Sequence, residues 1–436
     1  MKKYLCLFMS MLLLTSVTSC DSSKEDKIDL QEVYDNTEET ELLLGLWVTP
    51  VTHLTSTPED AEARYAEIKE AGIVMAYTHH HETHDMEQLM RALDAAEKNG
   101  IKMMVSLLPD NYRKSMNIVE ATKDHPAVYG YNMADEPGGA AFDSLAKLRD
   151  DIKAIVSEDK IIMCNMFPNY APDWALGTKA SDGNTVYYNY LDQYMEKVRP
   201  DILSFDHYPF MADSNADFNR ILIMLDNLSD VRNVGMKYNV DTWGFVQNSS
   251  WAGTRIPNDD ELRFVCHLHL IFGLKSYSYF LYCQPSDQSG VEGVFEGMLT
   301  YHGEKTDIYY RVQKQNQDLK KMKGVFLNYD HVGFVTHNMD ERHVNAIREN
   351  LRFGTYKELE KIDSEGMILT GLFEKDGKTG LYVMNFDYKQ DNTLTLKLNT
   401  KSDFKVWGAG GLEQMKKSNS IKLSLKPGEG KFIELG

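Results

Sequence analysis

Residues 128–137, VYGYNMADEP, read as a short β-strand that ends in two adjacent carboxylates, Asp135 and Glu136, before Pro137 and Gly138-Gly139 stop it. Upstream, IKMMVSLLP (101–109) has the same form, and so does IIMCNMFPN (161–169) downstream. Each is an apolar run of strand length, and each is separated from the next by a stretch of helical periodicity. Continued in both directions, the rhythm adds LLGLWVTP (43–50), IVMAYTHH (73–80), DILSFDHYPF (201–210), KYNVDTWGFV (237–246) and SYSYFLYCQP (276–285). The intervening helices carry their own start and stop signals. PEDAEARYAEIKEAG opens on Thr57-Pro58-Glu59 and places Ala61, Tyr65 and Ile68 on one face. MEQLMRALDAAEKNG aligns Leu89, Leu93 and Ala96 and ends at Gly100.

Helical crossovers between strands make parallel neighbours, and eight such units predict a closed (β/α)8 TIM barrel over residues 42–326. No Gly-rich phosphate loop follows the first strand, as a doubly wound dinucleotide fold would require. After 306–323 the texture changes to short alternating strands (MILTGLFE, KTGLYVMNFD, NTLTLKLNT, FKVWGAG, SIKLSLKPG, GKFIELG), which predicts an all-β sandwich domain over 327–436.

A formal charge of −18 argues against nucleic acid as a partner, because phosphate binding needs a basic surface, and fits a neutral or cationic substrate, a neutral sugar being the natural candidate. Lys2-Lys3, an apolar run from Leu5 to Leu14 and the segment Val17-Thr18-Ser19-Cys20 resemble a bacterial lipoprotein signal peptide. That resemblance implies removal of residues 1–19, a lipid anchor to the membrane on Cys20 and a polar tether over 20–41. It also implies a cell-envelope location, with the outer membrane preferred because the acidic SSKED tract resembles a surface-export signal. Asp21, which resembles an inner-membrane retention cue, points the other way. Cys164, Cys266 and Cys283 match no metal or redox spacing and read as buried apolar residues.

In a (β/α)8 barrel the C-terminal strand ends converge on one face, where chemistry sits. That rule gathers Trp47, Thr49, Tyr77, His79, His80, Asp110, Asp135, Glu136, Asn165, Asn169, Asp206, His207, Tyr208, Asp241, Trp243, Gln247, Tyr282 and Gln284 as candidates. Carboxylates and amides pair with sugar hydroxyls, and aromatic faces stack on pyranose rings, so a carbohydrate is the expected substrate. The cluster THHHETHD (78–85) lacks the HExxH spacing of a zinc site, and its histidines are expected to meet substrate or solvent, with no metal.

An acid ending strand four, a Glu-Pro signature, the His-Tyr-Pro after strand six and a β-sandwich tail together resemble the clan of retaining glycoside hydrolases that includes the cellulase-type and β-galactosidase-type barrels. The resemblance implies that Glu136 is the general acid/base, held protonated by burial and by the Asp135 charge, and that no cofactor is required. It also implies two departures. The clan has Asn where Asp135 stands, and it has a nucleophilic Glu at the end of strand seven, where this chain has none. Asp206 and Asp241 are the expected alternatives as second catalytic carboxylate, with Glu292 or Glu296 in reach from a loop. His79, His80, Asp135, Asn165, His207, Tyr208, Trp243, Gln247 and Tyr282 are the expected substrate contacts. A non-catalytic surface glycan-binding barrel is the rival expectation, and a barrel of other chemistry a third.

Overall fold

The computed structural model describes residues 29–78, 83–181, 183–251, 253–286 and 296–436. Eight parallel strands close a barrel in sequence order: β1 (Leu43–Trp47), β2 (Met75–Tyr77), β3 (Lys102–Ser106), β4 (Val128–Asp135), β5 (Ile161–Met166), β6 (Ile202–Asp206), β7 (Asp241–Gln247) and β8 (Ser276–Phe280). β1 closes on β8 through five register pairs, Leu43 with Ser276 to Trp47 with Phe280. The helices that cover it are α1 (Pro58–Glu70), α2 (Met86–Asn99), α3 (Tyr112–Thr122), α4 (Phe142–Lys153), α5 (Val186–Val198), α6 (Asp217–Tyr238), α7 (Asp259–Ile271) and α8 (Asp307–Lys320).

The local signals operate as the residue types dictate. Thr57 caps α1 by accepting from the Asp60 amide, and Ala61, Tyr65 and Ile68 are its buried face. Asp85 caps α2, and Gly100 ends it in the left-handed conformation (φ 64°). Inside the barrel, Met75, Tyr77, Met104, Met163, Ile202, Trp243 and Phe245 fill the space as a packed core. A separate core lies between strands and helices and contains Cys164 and Cys266; both thiols, and that of Cys283, are buried and unpaired.

Strand seven departs from the expected 237–246. Lys237 and Tyr238 belong to the last turn of α6, Asn239 caps that helix with φ 53°, and the strand begins only at Asp241. Asp241 therefore lies at the N-terminal end of β7, opposite the mouth and not at the strand end where it was expected.

Seven further strands, β9 (Asp330–His337), β10 (Leu359–Ser364), β11 (Ile368–Lys375), β12 (Lys378–Asn385), β13 (Asn392–Gly408), β14 (Gly411–Leu425) and β15 (Gly430–Leu435), form one curled, mostly antiparallel, sandwich-like sheet in the order β10-β13-β15-β12-β11-β9, with β14 on β13. It starts at β9 (Asp330–His337); β9 and β10 (Leu359–Ser364) carry no strand expectation from sequence, and two expected strands merge into the long β13 (Asn392–Gly408). Alternation along β12 (Lys378–Asn385) divides the labour. Leu381 and Val383 enter the sheet's own core, whereas Tyr382 and Met384 join the core shared with the barrel, where the Tyr382 hydroxyl meets His267 Nδ1 of α7 at 2.9 Å. Within the expected tether, Leu30–Asp35 forms a short helix whose Tyr34 ring lies 6.1 Å from Trp407 of β13. No helix among the described residues is long and apolar enough to cross a membrane.

Candidate active site

β4 reaches the mouth through two register irregularities. The first, against β3, falls between Val128 and Gly130, and at Gly130 a Cβ would stand 2.1 Å from the Ile161 carbonyl oxygen, so only glycine fits. The second, against β5, falls between Asn132 and Asp135 and re-aims the strand end, as bulges beside active sites do. Glu136 follows with φ 47°, a left-handed backbone that costs a non-glycine residue of order 1 kcal/mol or more. Its amide is held by a 2.8 Å bond to the Asn165 carbonyl, so the strained conformation is fixed by β5.

Around this point three acids converge. Asn165 donates from Nδ2 to Asp135 Oδ1 at 3.1 Å and to Asp206 Oδ1 at 3.2 Å, while its Oδ1 accepts from Ser204 Oγ at 3.2 Å. The Asp206 carboxyl is buried at the end of β6 and is in hydrogen-bond contact with Glu136. Burial, reinforced by the Asp135 charge and opposed by the hydrogen bond from Asp206, lifts Glu136 to about 7. Burial and the charges of Glu136 and Asp135 hold Asp206 well above the carboxylate range, with the Asn165 bond opposing. Side by side and buried, the two titrate as a unit, and both carboxyls are held above the usual carboxylate range.

These acids occupy one side of a cavity of about 310 Å³; the other side is aromatic. Trp47 packs against Phe245 at 5.5 Å and against Tyr77 at 5.3 Å, forming the floor. Tyr208, Trp251 and Phe280 form a wall, with ring centroids 5.0 to 5.4 Å apart. Tyr170 lines the cavity too and stands edge-on to His207 at 5.0 Å.

The structure brings together Trp47, Asp135, Glu136, Asn165, Asp206 and Tyr208 of the expected site residues. Others it places elsewhere. Trp243 is buried within the barrel, stacked on Tyr129 at 6.4 Å and 6°, because it stands early in β7. Gln247 ends β7, but its amide is consumed by backbone: Oε1 accepts from Phe210 N at 2.9 Å, and Nε2 donates to the Phe210 and Arg255 carbonyls at 3.0 and 2.9 Å. His207 lies behind Tyr170, bonded through Nδ1 to Asn227 at 2.9 Å; burial drives its pKa down to about 3, so it stays neutral. Tyr282 is buried two residues beyond β8 and is not part of the cavity lining. Glu296 is exposed and accepts from Ser250 Oγ at 2.9 Å. His79, His80, Glu292 and Cys20 lie outside the described residues.

Tyr170, Phe245, Trp251 and Phe280 are lining residues absent from the expectation. Phe245 and Phe280 could have been found by inward parity had the ends of β7 and β8 been placed correctly. Tyr170 and Trp251 sit on loops and carry no periodic signal.

No family model matches this chain, and neither does any curated protein. Solved structures do. A family 39 glycoside hydrolase from the gut symbiont Bacteroides cellulosilyticus WH2 superposes with a TM-score of 0.50 at 13% identity, over 91% of this chain and 81% of that one. A family 5 glycoside hydrolase from Bacteroides vulgatus gives 0.53 at 11%, over 91% and 89%. Gan42B, a family 42 β-galactosidase, gives 0.57 at 10%, over 91% and 99%. What this chain shares with these three enzymes is the fold, a closed (β/α)8 barrel.

The two neighbouring acids make opposite demands on Glu136, and that is testable. Asp135→Asn removes a like charge and is expected to move the alkaline limb of the pH–rate profile to lower pH. Asp206→Ala removes the hydrogen bond that favours the Glu136 carboxylate and is expected to move that limb to higher pH. Equal limbs in both variants would show that Glu136 does not control the profile.

Proposed function

We propose that this chain is a glycoside hydrolase that cleaves an O-glycosidic bond of an oligo- or polysaccharide, with Glu136 as general acid and then general base. The observation that carries the reading is a carboxyl raised to about 7 at the end of the fourth barrel strand, facing an aromatic-walled cavity. A carboxyl protonated near neutral pH can deliver its proton to a leaving oxygen, and the aromatic surfaces suit the apolar faces of a sugar. One observation favours a second reading, a surface glycan-binding protein without turnover: the end of β7 carries Gln247 with its amide spent on backbone, and no acid.

A panel of plant, host and microbial glycans assayed for released reducing ends separates the two. Release supports hydrolysis; retention on a glycan column without release supports binding alone. We also propose that the protein is anchored at the cell envelope through lipidated Cys20, with the outer membrane as its site. Protease shaving of whole cells tests the location, which fails if only the lysed cells yield cleavage products.

A further inference from the structure

The acids of the cavity stand on one side. Glu136 and Asp206 are in hydrogen-bond contact, and Asp135 precedes Glu136 in the chain. Hydrolysis with an enzyme nucleophile needs a second carboxylate about 5 Å from the acid, and inversion through water needs about 6.5 to 9.5 Å. Asp206 is closer than either separation, and it is hydrogen-bonded to Glu136. Opposite the acids the cavity presents Trp47, Phe245, Trp251 and Phe280, contributed by β1, β7, β8 and the loop after β7. Among the described residues, no carboxylate lines that side.

Accepting the hydrolase reading, we infer that the nucleophile comes with the substrate: the site takes a 2-acetamido sugar whose carbonyl oxygen attacks C1. Asp135, steadied by Asn165, accepts a hydrogen bond from the acetamido N–H, and the acetyl methyl lies against the aromatic wall. In the first step the C1–O bond to the leaving group breaks as the carbonyl oxygen forms its bond to C1, and the Glu136 proton passes to the departing oxygen. The product is an oxazolinium ion with its charge opposite the Asp135 carboxylate. In the second step water adds to C1, its proton goes to Glu136, and the C1–carbonyl bond breaks, restoring the acetamide. Attack from the ring's opposite face requires a leaving group trans to the acetamido group, and two inversions at C1 give net retention. Asp135 touches substrate in this scheme, and the departure of this position from Asn acquires a chemical reason.

The test uses the mature protein with 4-nitrophenyl β-N-acetylglucosaminide and β-N-acetylgalactosaminide, their mono-, di- and trifluoroacetamido analogues, and the matching 2-hydroxy glycosides. Cleavage confined to the acetamido compounds is expected, falling by about a hundredfold or more as fluorine weakens the carbonyl nucleophile. Asp135→Asn is expected to lower kcat on these substrates by about a hundredfold with no loss of fold by circular dichroism. The glycan panel supplies the parallel readout for an enzyme that needs longer chains. Release from hexosaminide-containing glycans alone supports the inference. Cleavage of the 2-hydroxy series, or release only from glycans without N-acetylhexosamine, overturns it and leaves the hydrolase reading intact. No cleavage or release from any of these overturns both.

Discussion

Glu136→Gln is expected to lower kcat/KM on an unactivated glycoside by about 10²- to 10⁴-fold, the range general acid catalysis contributes. The amide fills the same space and can still hydrogen-bond Asp206, but it has no proton to give to a leaving oxygen. The deficit should shrink on a nitrophenyl glycoside, whose leaving group departs with less help. A structural role for Glu136 would depress both substrates alike. The pH profile gives an independent reading. The acid must be protonated, so wild-type activity falls as pH rises through about 7, and the Gln variant loses that limb.

Stability should move the other way. Because the folded-state pKa of Glu136 lies above its unfolded value of 4.5, the native state holds this proton more tightly than the unfolded chain does. Its contribution is fully present below 4.5 and is lost as pH rises through about 7, where a buried charge must form. Glu136→Gln is therefore expected to melt higher than wild type at pH 8 and to show a flatter dependence of melting temperature on pH between 5 and 8. A carboxyl kept at a cost to the fold has this signature. A wild-type melting temperature that rises over that interval, together with an unchanged variant, would contradict the assigned shift.

The barrel was legible because its signals are periodic. Apolar runs recur between amphipathic helices, and Thr57, Asp85 and Gly100 mark helix ends by residue type. Glu136 and Asp206 were legible because β4 and β6 end where their apolar runs end. Strand seven was not, since KYNV has the Tyr and Val of a strand while its first residues finish a helix of 22 residues. Helix continuation there is decided by packing, with Met224, Leu225, Leu228, Val231 and Val234 buried against the barrel, and Asn239 supplies a left-handed cap that pattern reading passes over. That one misplacement carried Asp241 and Trp243 to the mouth in the expectation, whereas they stand at the start of β7. The loop aromatics Tyr170 and Trp251 were invisible for a different reason: their positions are set by tertiary contacts alone. The resemblance in motif around Glu136 could not reveal that Asp206 faces it directly, because side-chain separation across strands depends on the bulge after Asn132.

Arg255→Met is expected to destabilise the protein by about 3 to 5 kcal/mol, read as a fall in the urea unfolding midpoint, because it strands two buried acids. Arg255 holds Asp217 with two bonds, 2.9 Å from Nη1 and 2.8 Å from Nη2, and Glu261 with a third at 2.6 Å; the acid side chains are only 5% and 9% exposed. Replacing all three groups by apolar residues (Arg255→Met, Asp217→Leu, Glu261→Met) should recover much of the loss, since the attraction within a buried cluster mainly offsets its own desolvation. Recovery should stop short by about 1 to 3 kcal/mol, because Tyr388 of the C-terminal sheet donates to Asp217 at 3.0 Å and would lose its acceptor, and Glu261 accepts from the Asn258 amide at 3.0 Å in the capping box of α7. The cluster also has a bearing on the cavity. The Arg255 side chain bonds the Met211 carbonyl and its backbone pairs with Phe210 and Gln247, so it clips the loop after β6 to the loop after β7. Tyr208 and Trp251 hang from those two loops, 5.0 Å apart. Loosening the clip should therefore raise KM by a larger factor than it lowers kcat, because the aromatic wall moves while Glu136, held by Asn165 on β5, does not. An equal fall in kcat at unchanged KM would place the effect on the acids instead, and would separate the wall from the clip.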